Sequence, residues 1–144
     1  MVEMAAKKAK AKEKVIVTRG KRKEAIARAS AKAGKGVVRI NSVALGAFEP
    51  VYVRKMIEEP LRLASDVAAD LNIEVSVRGG GTMGQAQAVR TAIGRVLVEW
   101  SGDAALRQRM MDFDRFLLVE DSRRVEPKKY LGPKARARFQ KSYR

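Results

Sequence analysis

The sequence predicts an α+β domain with helices on one side of a sheet, carrying a basic extension at each end. Three observations predict it. Residues 71–78 alternate apolar and polar side chains and lead through a glycine-rich turn into a long stretch of helical spacing. Residues 15–40 hold β-branched and small apolar residues in strand-like alternation, punctuated by a turn signal. The charge is also unevenly placed: residues 7–39 carry 13 basic and 2 acidic residues, 40–121 carry 9 and 12, and 122–144 carry 9 and 1. The boundaries that follow are a disordered Ala/Lys-rich extension over 1–14, a globular domain over 15–121 and a basic tail over 122–144.

The extension is of low complexity and lacks the apolar stretch of a secretory signal. It serves either non-specific RNA contact or solubility. Val15-Ile16-Val17 is β-branched and opens the domain. Residues 21–33 are rich in alanine and charge, which favours helix. Small apolar residues at 25, 27, 29, 31 and 33 nevertheless alternate as in a strand. The two readings nearly balance until Gly34-Lys35-Gly36, a turn signal before a short strand at 37–40, implies a hairpin and favours strand. On one continuous strand, Lys21, Lys23 and the small residues share a face, and Arg22 and Arg28 take the other.

Residues 51–70 read as one helix, with Pro60 at a tolerated first-turn position and Leu61, Ala64, Val67 and Ala68 on one face. A second helix follows Gly84 and buries Val89, Ile93, Val96, Leu97 and Trp100. Ser101-Gly102-Asp103 ends it and caps a short helix over 104–111. Phe116-Leu117-Leu118-Val119 reads as a last, buried strand.

The tail shows no sustained period, and Pro127, Gly132 and Pro133 interrupt any regular element. Such a segment buries too little apolar surface to offset its ordering entropy, so it is expected to be an extended arm. Fully stretched, the part after Glu126 reaches roughly 60 Å, against a radius of gyration of about 13 Å for the globule. Tyr130, Phe139 and Tyr143 sit among the charges, which suits base stacking beside phosphate neutralisation. A purely solubilising tail explains the charge but not the rings. Two basic flanks around a slightly acidic centre fit a nucleic acid, and fit a membrane surface less well because bulky apolar anchors are missing.

Catalytic and cofactor chemistry are disfavoured. The chain has no His and no Cys, which removes the commonest general base and thiolate metal sites. Gly79, Gly81 and Gly84 do form G-x-G-x-x-G between a strand and a helix. A dinucleotide site also needs an acidic residue about 20 residues on, at the end of a following strand, and here a second helix intervenes. A P-loop fails because Gln85-Ala86 follows Gly84. A tight turn whose amides meet an RNA phosphate is the better reading. A metal enzyme using Asp112, Asp114, Glu120 and Asp121 is the weaker alternative, and a free single-strand RNA binder is another.

Three motifs carry a resemblance. These are Gly20-Lys21-Arg22-Lys23-Glu24-Ala25-Ile26-Ala27-Arg28, Gly79-Gly80-Gly81-Thr82-Met83-Gly84-Gln85-Ala86-Gln87-Ala88-Val89-Arg90, and the tail from Asp121 to Tyr130 with the ending Gln140-Lys141-Ser142-Tyr143-Arg144. Together they resemble the universal small-subunit ribosomal protein number nine, and the Ser-Tyr-Arg ending is similar to archaeal and eukaryotic members. Val96 and the Lys/Ala-rich extension depart from the common pattern. The resemblance implies a four-stranded sheet backed by helices, the ribosomal protein S five domain-two-like fold. It implies a non-enzymatic component of the small-subunit head, without cofactor or metal, membrane or small-molecule substrate. Its partners are small-subunit ribosomal RNA, peptidyl-site tRNA and neighbouring head proteins, and its place is the cytoplasmic ribosome. Ribosomal RNA would be met by Lys21, Arg22, Lys23, Arg28, Gly80, Gly81, Gln85, Arg90, Arg123, Arg124, Lys128, Lys129, Lys134, Arg136 and Arg138. Lys141, Tyr143 and Arg144 would meet the tRNA anticodon stem-loop.

Overall fold

The computed structural model describes residues 14–142. Its sheet has five strands, not four: β1 (Ile16–Arg22), β2 (Ala25–Ala33), β3 (Val38–Ile40), β4 (Val43–Ala44) and β5 (Leu71–Arg78), in the spatial order β1-β2-β5-β3-β4. The extra strand is two residues long, too short to leave a pattern in the sequence. Four helices follow the chain: α1 (Val51–Leu63), α2 (Ser65–Ala69), α3 (Thr82–Ser101) and α4 (Ala104–Phe113).

Residues 25–33 are a strand, but the predicted hairpin at 34–36 is absent. The hairpin lies earlier, where Lys23 and Glu24 join β1 to β2 with Arg22 opposite Ala25, and Lys23 takes a left-handed φ of 52°. β2 then pairs antiparallel with β5, and β3 crosses to the far side of β5 and runs parallel to it. A central strand satisfies its backbone on both edges, and this tertiary pairing overrides the helix propensity of the alanines. The turn also corrects the assignment of faces. Lys21 and Arg28 share the open face, because Arg19 pairs with Arg28 and Lys21 with Ile26, whereas Arg22 lies on the helical side.

The helical side of the sheet is lined by small residues. Ala25, Ala27, Ala29 and Ala31 are fully buried beneath α3, whose Ala88, Val89, Ala92, Ile93, Val96 and Leu97 complete the core. Small side chains on both surfaces let strand and helix approach closely. The Thr18 hydroxyl donates to the Ala92 carbonyl across this contact at 2.8 Å.

The predicted helix over 51–70 breaks in two at Ala64, whose backbone (φ −126°, ψ 46°) leaves the helical region. Pro60 lies in the interior of α1, not in its first turn, and is itself buried. β5 matches its predicted span. Asp103 caps α4 by accepting the Ala105 amide at 2.8 Å, as expected. Residues 116–119 are not a strand. Arg115–Leu117 is a 3-10 turn, Leu117 alone of its three residues is buried, and Phe116 is exposed. Its carbonyls are taken by side chains of α3 in place of a ladder: Thr91 Oγ1 donates to Phe116 O (2.8 Å) and Arg95 Nε to Leu118 O (2.8 Å).

Candidate nucleic-acid interface

The tail leaves the globule through a clasp of ion pairs. Asp121 is almost wholly buried, and it accepts the Arg123 amide (2.9 Å) and that guanidinium's Nε (2.9 Å) and Nη2 (2.6 Å). Arg22 stands 3.3 Å away on the other side, with its Nε donating to Gln87 Oε1 at 2.6 Å. The Arg123 hydrogen bonds hold the Asp121 carboxyl far below the usual carboxylate range, with Arg22 adding to the effect. Arg124 donates to the Asp121 carbonyl (2.9 Å). One turn back, Arg95 bridges Glu120 (3.1 Å) and the carbonyl of Arg19 (2.6 Å). Charge-assisted bonds of this kind are the stronger class of hydrogen bond, so the direction in which the chain exits is set by the core.

Beyond the clasp, residues 124–142 contain no helix or strand and are almost entirely exposed. The tail is not fully stretched. Arg136 forms a bidentate pair with Glu126 (3.0 and 2.6 Å) and Arg138 donates to the Tyr130 carbonyl (3.3 Å), closing a turn around Leu131, whose φ is 59°. The Glu126 pair is well exposed at both partners, so it contributes little against water and a competing phosphate can displace it. Lys128, Lys129, Lys134 and Lys141 are exposed and have no carboxylate within ion-pair distance among the described residues. Tyr130 and Phe139 are 86% and 68% exposed, so their rings are open to stacking. Tyr143 and Arg144 lie outside the described residues.

The remaining expected contacts divide. The glycine turn is built for packing. Gly79 and Gly80 have φ of 76° and 67°, and a Cβ on Gly79 would stand 2.6 Å from the Glu24 carbonyl oxygen, so the turn is seated on the β1–β2 connection. Gln85 donates to the Gly79 carbonyl at 3.2 Å and closes the same turn, while Gly81 faces open space.

Arg90 is turned inward. Its side chain is 12% exposed and its guanidinium joins Glu59 to Asp114, the latter at 2.7 Å. The sequence grouped it with the RNA contacts because of its charge, but its partners come from α1 and from the end of α4. Replacing Arg90 by Ala is expected to lower stability by about 2 kcal/mol, the scale of hydrogen bonds to charged groups, while the folded variant keeps its RNA affinity. Urea unfolding and a filter-binding titration read the two quantities separately.

Lys21 and Arg28 lie on the open sheet face, where sequence reasoning missed their companions Arg19, Lys32, Arg39 and Arg78. The available signal was alternation: each sits one residue from a core position. The four carboxylates of the metal alternative do not converge. Asp112 accepts from Gln108, and Asp114, Glu120 and Asp121 are each held by arginine. Among the described residues no acidic cluster suits a metal ion.

The sequence matches the pattern described as ribosomal protein S9/S16 over residues 20–144. It is 51% identical over 131 residues to the small ribosomal subunit protein uS9 of Methanothrix thermoacetophila, covering 91% of this chain and 99% of that relative. The uS9 protein of Halobacterium salinarum is 54% identical over 131 residues, covering 90% and 99%. That of Methanococcus maripaludis is 45% identical over 135 residues, covering 91% and 99%. With the family pattern spanning both basic motifs and the core between them, and with these archaeal relatives matched almost end to end, the chain belongs to the ribosomal protein S9/S16 family.

Proposed function

We propose that the chain is a non-enzymatic structural constituent of the small ribosomal subunit head in the cytoplasmic ribosome. There it binds ribosomal RNA and abuts neighbouring head proteins. The observation that carries this reading is the tail, an exposed basic segment with open rings and with lysines that have no carboxylate partner among the described residues, aimed by an ion-pair clasp on the buried Asp121 at its root. Membership of a family whose relatives are named for the small subunit supports it. Four strands, the last only two residues long, then α1 and α2, β5, and α3 and α4 in sequence order support assignment to the S five domain-two-like fold.

In this reading Lys128, Lys129, Lys134, Arg136 and Arg138 neutralise ribosomal RNA phosphates. Arg124 does so near the root, and Lys23 at the tip of the β1–β2 turn. Stoichiometric recovery of the protein in small subunits after a high-salt wash tests the reading, and its absence there would sink it.

The tail's last residues, Lys141, Tyr143 and Arg144, reach the peptidyl-site tRNA. An ammonium meets anionic oxygens as a point charge and a guanidinium as a bidentate fork. Deleting residues 142–144 is expected to leave folding and subunit incorporation unchanged, since the buried core precedes Ser122. It is expected to weaken peptidyl-site tRNA by ~1–3 kcal/mol, the loss of one charge-assisted pair. The measurement is tRNA dissociation from programmed subunits, and equal off-rates would make the tail end an anchor within the ribosome only.

A further inference from the structure

We propose that the open face of the sheet is a second RNA-binding surface, one that lies against the sugar-phosphate backbone of a double helix. The inference rests on the RNA-binding reading above and adds to it a surface and a class of RNA structure. The register lays the side chains out in rows. One row runs Arg39, Glu74, Ser30, Val17; the next Ser76, Arg28, Arg19; the third Arg78, Ile26, Lys21. Glu74 is the one carboxylate in these rows.

The contrast with α1 and α3 makes this more than a solvated face. In those two helices the arginines are partnered: Arg54 and Arg62 with Glu58, Arg90 with Glu59 and Asp114, Arg95 with Glu120. On the open face, Arg28, Arg39 and Arg78 have no carboxylate within ion-pair distance among the described residues. Arg19 stands directly across from Arg28, an arrangement of like charges that the Arg19–Glu120 pair at 3.6 Å offsets only at the Arg19 end, leaving Arg28 without a counter-charge among the described residues. A polyanion laid over the rows relieves that repulsion.

The chemistry of the rows selects the kind of RNA. Sheets that read single strands stack bases on aromatic rings, and no Phe, Tyr or Trp stands in these rows. Guanidinium groups interleaved with the hydroxyls of Ser30 and Ser76 instead match phosphates and 2′-hydroxyls. Arg28 and Arg39 lie two strands apart, roughly 10 Å, and the wide, shallow minor groove of an RNA helix admits such a flat surface.

The test titrates the full chain, its Arg28→Ala/Arg39→Ala/Arg78→Ala variant and its Glu74→Lys variant against two probes across a salt series. The probes are a perfectly paired RNA hairpin of about 16 base pairs and a single-stranded oligouridylate. The tail meets both probes, so the difference between them reports the sheet face. The triple variant is expected to lose tenfold or more on the hairpin, with a salt slope shallower by about two to three units, and to keep its affinity for the single strand. Glu74→Lys, which removes one exposed carboxylate and leaves the core untouched, is expected to tighten hairpin binding severalfold. It answers the question even if the triple variant misfolds. Unchanged hairpin affinity in both variants overturns the proposal and leaves the tail reading standing. Failure of the unaltered chain to bind either probe overturns both.

Discussion

Removal of residues 122–144 flattens the salt dependence of RNA binding while the globular core stays folded. The segment holds 9 basic residues and 1 acidic residue, more than half of the chain's net charge of +15. Each phosphate neutralised releases condensed counterions. If the tail engages about six phosphates in single-stranded regions, log K falls against log salt with a slope near −4 to −5. The shortened protein is expected to show a slope smaller by about that amount and to bind at least ~10-fold more weakly at low salt. The core tolerates the cut because its buried residues end with Leu117 and Asp121. Asp121 loses Arg123 but keeps Arg22 at 3.3 Å, so no buried carboxylate is left without a cation. Circular dichroism and urea unfolding check the fold. An unchanged salt slope in the shortened protein would show that the tail is not the electrostatic contact.

Much of this fold was legible because strong local signals agreed with the tertiary outcome. β5 alternates without exception, and both the glycine turn before α3 and the Gly102-Asp103 boundary before α4 use the residues their geometry needs. Gly102 takes a φ of 64° and its amide closes on the Val98 carbonyl. Where prediction failed, long-range partners had decided the matter. Phe116-Leu117-Leu118-Val119 has strand propensity, yet Thr91 and Arg95, 25 and 23 residues away in sequence, take its carbonyls and hold it as a turn. The strand at 25–33 was assigned through a hairpin that does not exist, and the pairing that makes it a strand reaches to residues 71–78. The same limit applies to the binding residues. Composition marks a basic side chain but not its neighbours, so Arg90, clasped by Glu59 and Asp114, looked equivalent to Lys128, which has no carboxylate partner among the described residues. Arg39 and Arg78 carried the opposite error, since isolated charges in alternating strands form no motif until the register lays them on one face of the sheet.

Gly20→Ala is expected to be the most damaging single methyl in the chain. The motif beginning at Gly20 reads as a basic signature, and its first residue answers to space instead of charge. A Cβ at Gly20 would overlap the Ala88 carbonyl oxygen and stand 2.7 Å from the Ala92 amide nitrogen. Both atoms belong to the backbone of α3, so no rotamer change relieves the clash. The helix would have to lift from β1, and Thr18 ties it down there by donating to the Ala92 carbonyl. Lifting α3 also opens its contact with the buried alanines of β2, where nothing is large enough to fill the gap. Overpacking of a close-packed core commonly costs ~1–3 kcal/mol and occasionally more. With backbone on both sides, the expected loss is about 3 kcal/mol, a large share of the ~5–15 kcal/mol that holds a domain together. Gly46→Ala is the matched control, because a Cβ there meets nothing within 4 Å, and it is expected to shift stability by less than about 0.5 kcal/mol. Urea unfolding of the two variants beside the unaltered chain decides the matter. A Gly20→Ala midpoint within error of the Gly46→Ala midpoint would mean that α3 can rise from β1 at little cost, and the close strand–helix contact would then not be what the glycine and the alanine stripe are there to permit.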